Sequence, residues 1–213
     1  MSRISIAVIG TAALVGLLTP MKAAQADPTT LIVNKCSSVQ IKAAGKYGAA
    51  LSGCYSKAAA KGLSLDPLCL SMEKMWATYA KTSSCLLLEL PVDTAASVAS
   101  DTKFFTSQLA VTIGYSGQSK CDAAKFKCVG KYLAGIAGCY AKAAAKLPGA
   151  MDGRCISKNE DKFSGGTKTC YEKAVARADC SNASTADAVR TLADTFLVAT
   201  VCKLNPGANP DCS

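Results

Sequence analysis

The chain has no histidine, a single tryptophan among 213 residues, and no two cysteines at C-x-x-C spacing. Without histidine the commonest general base is missing. Without C-x-x-C or Cys/His pairs a zinc site has no ligand pattern to start from. Aromatic residues make up 6% of the chain, and only four of its 24 basic residues are arginines. Glu73, Glu89, Asp93, Asp101, Glu160, Asp161 and Asp187 are scattered or sit at expected helix starts, where capping accounts for them. Gly165-Gly166 lacks the preceding strand and following GK[ST] of a phosphate loop. These absences point away from an enzyme and call for no metal and no cofactor.

Long apolar runs are also scarce. The one present, Ile4 to Leu18, follows Arg3 and precedes Pro20 and Ala24-Gln25-Ala26. Charge, short apolar core and A-x-A are the order of a secretory signal peptide, and a transmembrane helix needs about 20 apolar residues. Residues 1–26 are therefore expected to be a signal peptide, with the mature chain starting at Asp27 and secreted or periplasmic. Removal of this segment lowers the formal net charge from +9 to +7. All twelve cysteines remain, an even number bound for an oxidising compartment, and they are expected to form disulfides.

The sequence repeats itself. Cys36, Lys42, Gly45, Lys46, Tyr47, Ala49, Gly53, Cys54, Tyr55, Lys57, Ala58, Ala59, Ala60 and Lys61 recur 85 residues later, from Cys121 to Lys146. A unit at 27–115, a second at 116–203 and a closed tail at 204–213 follow from this duplication. Each unit reads as three helices, giving an all-α fold of two tandem helical hairpins, each followed by a third helix. In the first helix Lys42, Lys46, Lys57 and Lys61 fall within about 100° of one another, and Cys36, Tyr47, Leu51, Cys54, Tyr55 and Ala58 occupy the next sector. Gly62 stops it. The second helix opens at Asp66-Pro67, an N-cap followed by proline, and runs through Met72, Met75, Trp76 and Tyr79 towards Cys85. The third is capped by Asp93 or Thr94 and carries Val98, Thr102, Phe105 and Leu109. Its counterpart runs from Thr185 through Val189, Leu192, Phe196 and Val201.

Cys36 to Cys54 and Cys69 to Cys85 span helices of matched length, about 27 and about 24 Å at ~1.5 Å per residue. An antiparallel hairpin then places Cys54 beside Cys69 and Cys36 beside Cys85. In the second unit Cys139 pairs with Cys155 and Cys121 with Cys180. The extra Cys128 and Cys170 pair with each other between those rungs, although spacing alone leaves Cys121–Cys170 open. Cys202 and Cys212 close the tail. An Ala/Lys-rich helix pair buries little apolar surface, so bridges worth about 2–4 kcal/mol each replace part of a core.

The KYxAxxxGCYxKAAAK helix, the Leu65-Asp66-Pro67-Leu68-Cys69-Leu70 and Asp152-Gly153-Arg154-Cys155-Ile156-Ser157 openings, and the Thr/Asp/Ala-rich start of the third helix together resemble a family of secreted bacterial proteins with Ala/Lys/Cys-rich helical repeats. The resemblance implies a helical repeat fold and export, and no activity. The Leu86-Leu87-Leu88-Glu89-Leu90-Pro91 segment departs from the polar linker of that pattern.

Two binding readings remain. The stripe Lys42, Lys46, Lys57 and Lys61, with its copy Lys127, Lys131, Lys142 and Lys146, is either a solvated face that keeps an exported protein soluble or a surface for anionic lipid, acidic polysaccharide or nucleic acid. Scarce arginine and no interleaved aromatics point away from specific nucleic-acid reading. The alternative is a small apolar ligand, such as a lipid, held among Met72, Met75, Trp76, Tyr79, Phe104 and Phe105, with a secreted hydrolase as a more distant alternative. Asn182-Ala183-Ser184 fits the glycosylation sequon of eukaryotic export.

Overall fold

A computed structural model of the protein describes residues 28–71, 92–115, 117–146, 151–166, 169–177, 179–180, 184–205 and 212. The expected signal peptide, Met72, Met75, Trp76, Tyr79, Cys85, the 86–91 segment and Asn182 lie outside the described residues. Within them the fold is all-α, with six helices and no strand: α1 (Pro28–Lys61), α2 (Val92–Ile113), α3 (Lys120–Ala144), α4 (Gly153–Ser164), α5 (Cys170–Val175) and α6 (Ala186–Leu204).

Local chemistry sets the boundaries. α1 ends at Gly62, whose φ of +64° is the left-handed conformation that costs glycine least. Ser119 caps α3 by accepting from Asp122 N at 3.0 Å, Asp152 caps α4 by accepting from Arg154 N at 3.0 Å, and Thr185 caps α6 by accepting from Ala188 N at 3.2 Å. α2 starts at Val92, one or two residues ahead of the Asp93 or Thr94 cap. Residues 67–70 after Asp66-Pro67 form a turn rather than a helical start, with Asp66 Oδ1 accepting from Leu68 N.

The dominant packing is between the two copies of the repeated helix. Among the described residues α1 and α3 make by far the most extensive helix–helix contact. Their order is antiparallel: Gly45 lies against Ala137, Gly130 against Ser52 and Ala49, Gly48 against Leu133. Ser56 Oγ donates to Ala123 O at 2.7 Å, and Ser119 N to Ala59 O at 3.0 Å. Gly45 and Gly130 are the same repeat position, as are Ser52 and Ala137, so the contact is reciprocal about a local two-fold axis. Glycine is required there by proximity. A Cβ on Gly130 would come within 3.1 Å of the Ala49 carbonyl oxygen, and one on Gly45 would overlap the Ala137 Cβ.

The third helices obey the same axis. α2 and α6 pack together beneath the α1/α3 pair, and Phe105 stacks on Phe196, its own counterpart, with ring centroids 4.5 Å apart. Val98, Thr102, Leu109, Val189 and Val201 are buried as their helical phase requires. The main core cluster therefore joins Ile41, Phe105, Leu109 and Ile113 from the first half of the chain to Phe126, Leu133, Phe163, Tyr171 and Leu197 from the second, with a smaller cluster of Tyr47, Leu51 and Ala99 beside it.

Disulfides hold the periphery. Cys54–Cys69 (Cα–Cα 5.9 Å) ties the turn after α1 back to it; Cys139–Cys155 (5.8 Å), Cys128–Cys170 (5.6 Å) and Cys121–Cys180 (5.2 Å) lace α3 to α4, α5 and the following turn; Cys202–Cys212 (5.2 Å) closes the tail. Cys36 is also disulfide-bonded; its expected partner, Cys85, lies outside the described residues. The chain between Cys155 and Cys180 is broken at Ser164-Gly165-Gly166 into α4 and α5. Among the described residues no helix is long and apolar enough to cross a membrane.

Candidate functional site

All eight lysines of the stripe are exposed: Lys42, Lys46, Lys57 and Lys61 on α1, and Lys127, Lys131, Lys142 and Lys146 on or just beyond α3. On each helix they sit about a third of a turn from the face packed on the partner. A two-fold axis perpendicular to an antiparallel pair keeps the same side of each helix uppermost. Both stripes therefore lie on one side of the α1/α3 pair, opposite α2 and α6. Packing brings together two lysine rows that are 85 residues apart in the chain.

Among the described residues nothing acidic accompanies them. α1 contains no aspartate or glutamate, and α3 contains only Asp122, which is buried. The ion pairs among the described residues are Arg177–Asp179, Arg190–Asp187 and Lys203–Asp101, so none of the eight lysines takes part in one. The positive potential of the face is therefore not cancelled locally.

Lys125 behaves differently. It lies off the stripe, on the face of Cys121 and Cys128, and is fully buried. Its Nζ donates to Ser184 Oγ at 3.0 Å, and that hydroxyl also shares a 2.9 Å hydrogen bond with the buried Tyr171 hydroxyl. Burial pushes the Lys125 ammonium below the usual lysine range, opposed by the charge of Asp122. Burial likewise raises the Asp122 carboxyl, opposed by Lys125 and Ser119 and reinforced by Asp179. Unit one carries Gln40 and Ser37 at these two positions, both buried. The buried pair is thus peculiar to the second copy, and helical spacing from the cysteines marks Lys125 as inward-facing.

A second polar group lies between α4 and α6, in an open groove of about 770 Å³ lined by Glu160, Arg190, Asp194 and the Cys202–Cys212 bridge. Tyr132 donates its hydroxyl to Asp194 Oδ1 at 2.7 Å. Burial raises the Asp194 carboxyl; the Tyr132 hydrogen bond opposes this, Glu160 adds to it, and Arg190 opposes it.

Phe104 and Phe105, grouped above as lining for an apolar ligand, point apart. Phe105 is in the core, whereas Phe104 is 67% exposed on the outer side of α2. They cannot line one cavity. Among the described residues no three potential metal ligands come together. Comparison of the chain with protein-family models, with curated proteins and with solved structures gives no match.

Proposed function

We propose that this is an exported, non-enzymatic interaction protein that binds anionic surfaces through the lysine face of α1 and α3. One observation carries the reading: eight exposed lysines from two copies of one helix gather on one side with no acidic partner among the described residues. A face needed only for solubility is ordinarily served by charges of both signs. Here the same four lysine positions recur in both copies, on helices whose one carboxylate is buried.

The framework suits such a role. Disulfides of this number persist in oxidising compartments, and rigid helices fix the charges in place before any partner arrives, which lowers the ordering cost of binding. The test is retention on immobilised heparin. The parent protein should elute only at raised salt, and a variant with all eight lysines changed to glutamate should flow through. Retention unchanged by that reversal sinks the proposal.

A further inference from the structure

Projected onto the common axis of the α1/α3 pair, the eight lysines of the two rows fall in one regular order. With Gly45 against Ala137, Ser56 against Ala123 and Ala59 against Ser119, Lys131 falls level with Ala49, Lys127 with Gly53 and Lys142 with Ser38. Read along the pair, the sequence is Lys146, Lys142, Lys42, Lys46, Lys131, Lys127, Lys57, Lys61. Each step is about four residues, or about 6 Å, and the whole run covers about 40 Å at ~1.5 Å per residue. The gap of eleven positions between Lys46 and Lys57 on α1 is filled by Lys131 and Lys127 of α3. The corresponding gap on α3 is filled by Lys46 and Lys42. Neither helix carries an even ladder; the antiparallel pair does.

Small residues stand among and beside the lysines and form a floor: Gly53 and Ala60 on α1 and Gly138 on α3 lie within the lysine sectors, and Ala49 and Ala134 lie between those sectors and the seam. A Cβ built on Gly53 or on Gly138 meets nothing within 4 Å, so the space above the floor is open. Among the described residues no aromatic side chain is on this face.

We propose that the face is a trough for one linear polyanion, an acidic polysaccharide carrying carboxylate or sulfate groups at regular intervals, laid along α1 and α3. This rests on the anion-binding reading above and narrows it to a ligand class. A flat anionic membrane would favour large apolar side chains among the lysines to insert below the headgroups; among the described residues none stands between the lysines, and the exposed Leu63 and Leu68 lie beyond the Lys61 end. Single-stranded nucleic acid is gripped by aromatic stacking as well as charge, and that is missing too. A polysaccharide needs only charges at its own repeat and a floor that lets the chain lie close.

The test is binding of labelled oligogalacturonates of defined length, by fluorescence anisotropy at fixed salt. Affinity should climb with length until the oligomer spans the ladder and then level off, with free galacturonate at equal total charge failing to compete. Replacing the mid-ladder pair, Lys46→Ala with Lys131→Ala, should weaken the longest oligomer about thirtyfold. Replacing two exposed lysines elsewhere, Lys158→Ala with Lys173→Ala, removes the same charge and should change little. Equal losses from the two pairs, or affinity independent of length, overturn the trough. Binding to phosphatidylglycerol vesicles or single-stranded DNA but to no oligogalacturonate overturns the ligand class and leaves the anion-binding face intact. Failure to bind any of these anions overturns that reading as well.

Discussion

Gly45 of α1 sits so close to Ala137 of α3 that a methyl group on the glycine would occupy the space of the alanine Cβ. The two repeated helices come together there, and the lysine face exists because they do. Gly45→Ala should therefore destabilise the protein by about 1–3 kcal/mol, even though alanine is the better helix former by ~1 kcal/mol. Adding Ala137→Gly should recover part of the loss, as read by urea denaturation. A neutral Gly45→Ala would mean that the helices do not pack at this point.

Gly53 and Gly138 give the opposite sign. Both are in helix interiors with open space where a Cβ would stand. Gly53→Ala and Gly138→Ala should each raise stability by about 0.5–1 kcal/mol in the same assay.

The buried Asp122 and Lys125 are expected to act as a unit. Lys125→Gln alone leaves a buried carboxylate without its opposing charge, and Asp122→Ser alone leaves a buried ammonium without one, so each should destabilise, by about 1–3 kcal/mol. The double variant installs the pair that unit one already buries as Ser37 and Gln40. It should lose less than the two singles together, giving a coupling of about 1 kcal/mol or more in a double-mutant cycle.

Asp194 makes stability depend on pH. Its carboxyl is raised, chiefly by burial, so just above the ordinary carboxylate range the folded chain holds a proton that the unfolded chain has released. The sign follows from that difference in bound protons: the penalty is nil below that range and grows as pH rises through the raised value. Asp194→Asn removes the dependence and keeps an acceptor for Tyr132. Between about pH 4 and about pH 7 the stability of the variant relative to the parent should rise; a constant difference would contradict the assignment.

Much of this architecture was legible in residue spacing, and the reasons differ by element. The helices followed mainly from period: of the expected starts Thr185 does cap α6, whereas Asp66-Pro67 opens a turn and α2 begins ahead of Asp93. The bridged pairs that spacing placed together, such as Cys54 with Cys69 and Cys139 with Cys155, join segments close in sequence, where a turn leaves few alternatives. What spacing missed was which helix faces which. Gly45, Gly48, Ala49 and Ser52 form a small-residue face whose partner, Gly130 with Leu133 and Ala137, is 85 residues away, and a helical wheel records the face without naming its mate. Lys125 was missed for a related reason: one lysine off a lysine stripe looks like surface until its i+3 and i−4 neighbours, Cys128 and Cys121, are seen to face inward. Grouping Phe104 with Phe105 was an error of phase, since adjacent residues point about 100° apart on a helix.

The most direct test of the central claim, that two copies of one helix build a single anion-binding face, is the salt concentration at which the protein leaves immobilised heparin. It is compared for the parent, for reversal of the four α1 lysines, and for reversal of Lys127, Lys131, Lys142 and Lys146. The account predicts that either quartet reversed alone lowers the elution salt by a similar amount and that reversing both abolishes retention. Retention carried wholly by one helix, or unaffected by either reversal, would contradict it.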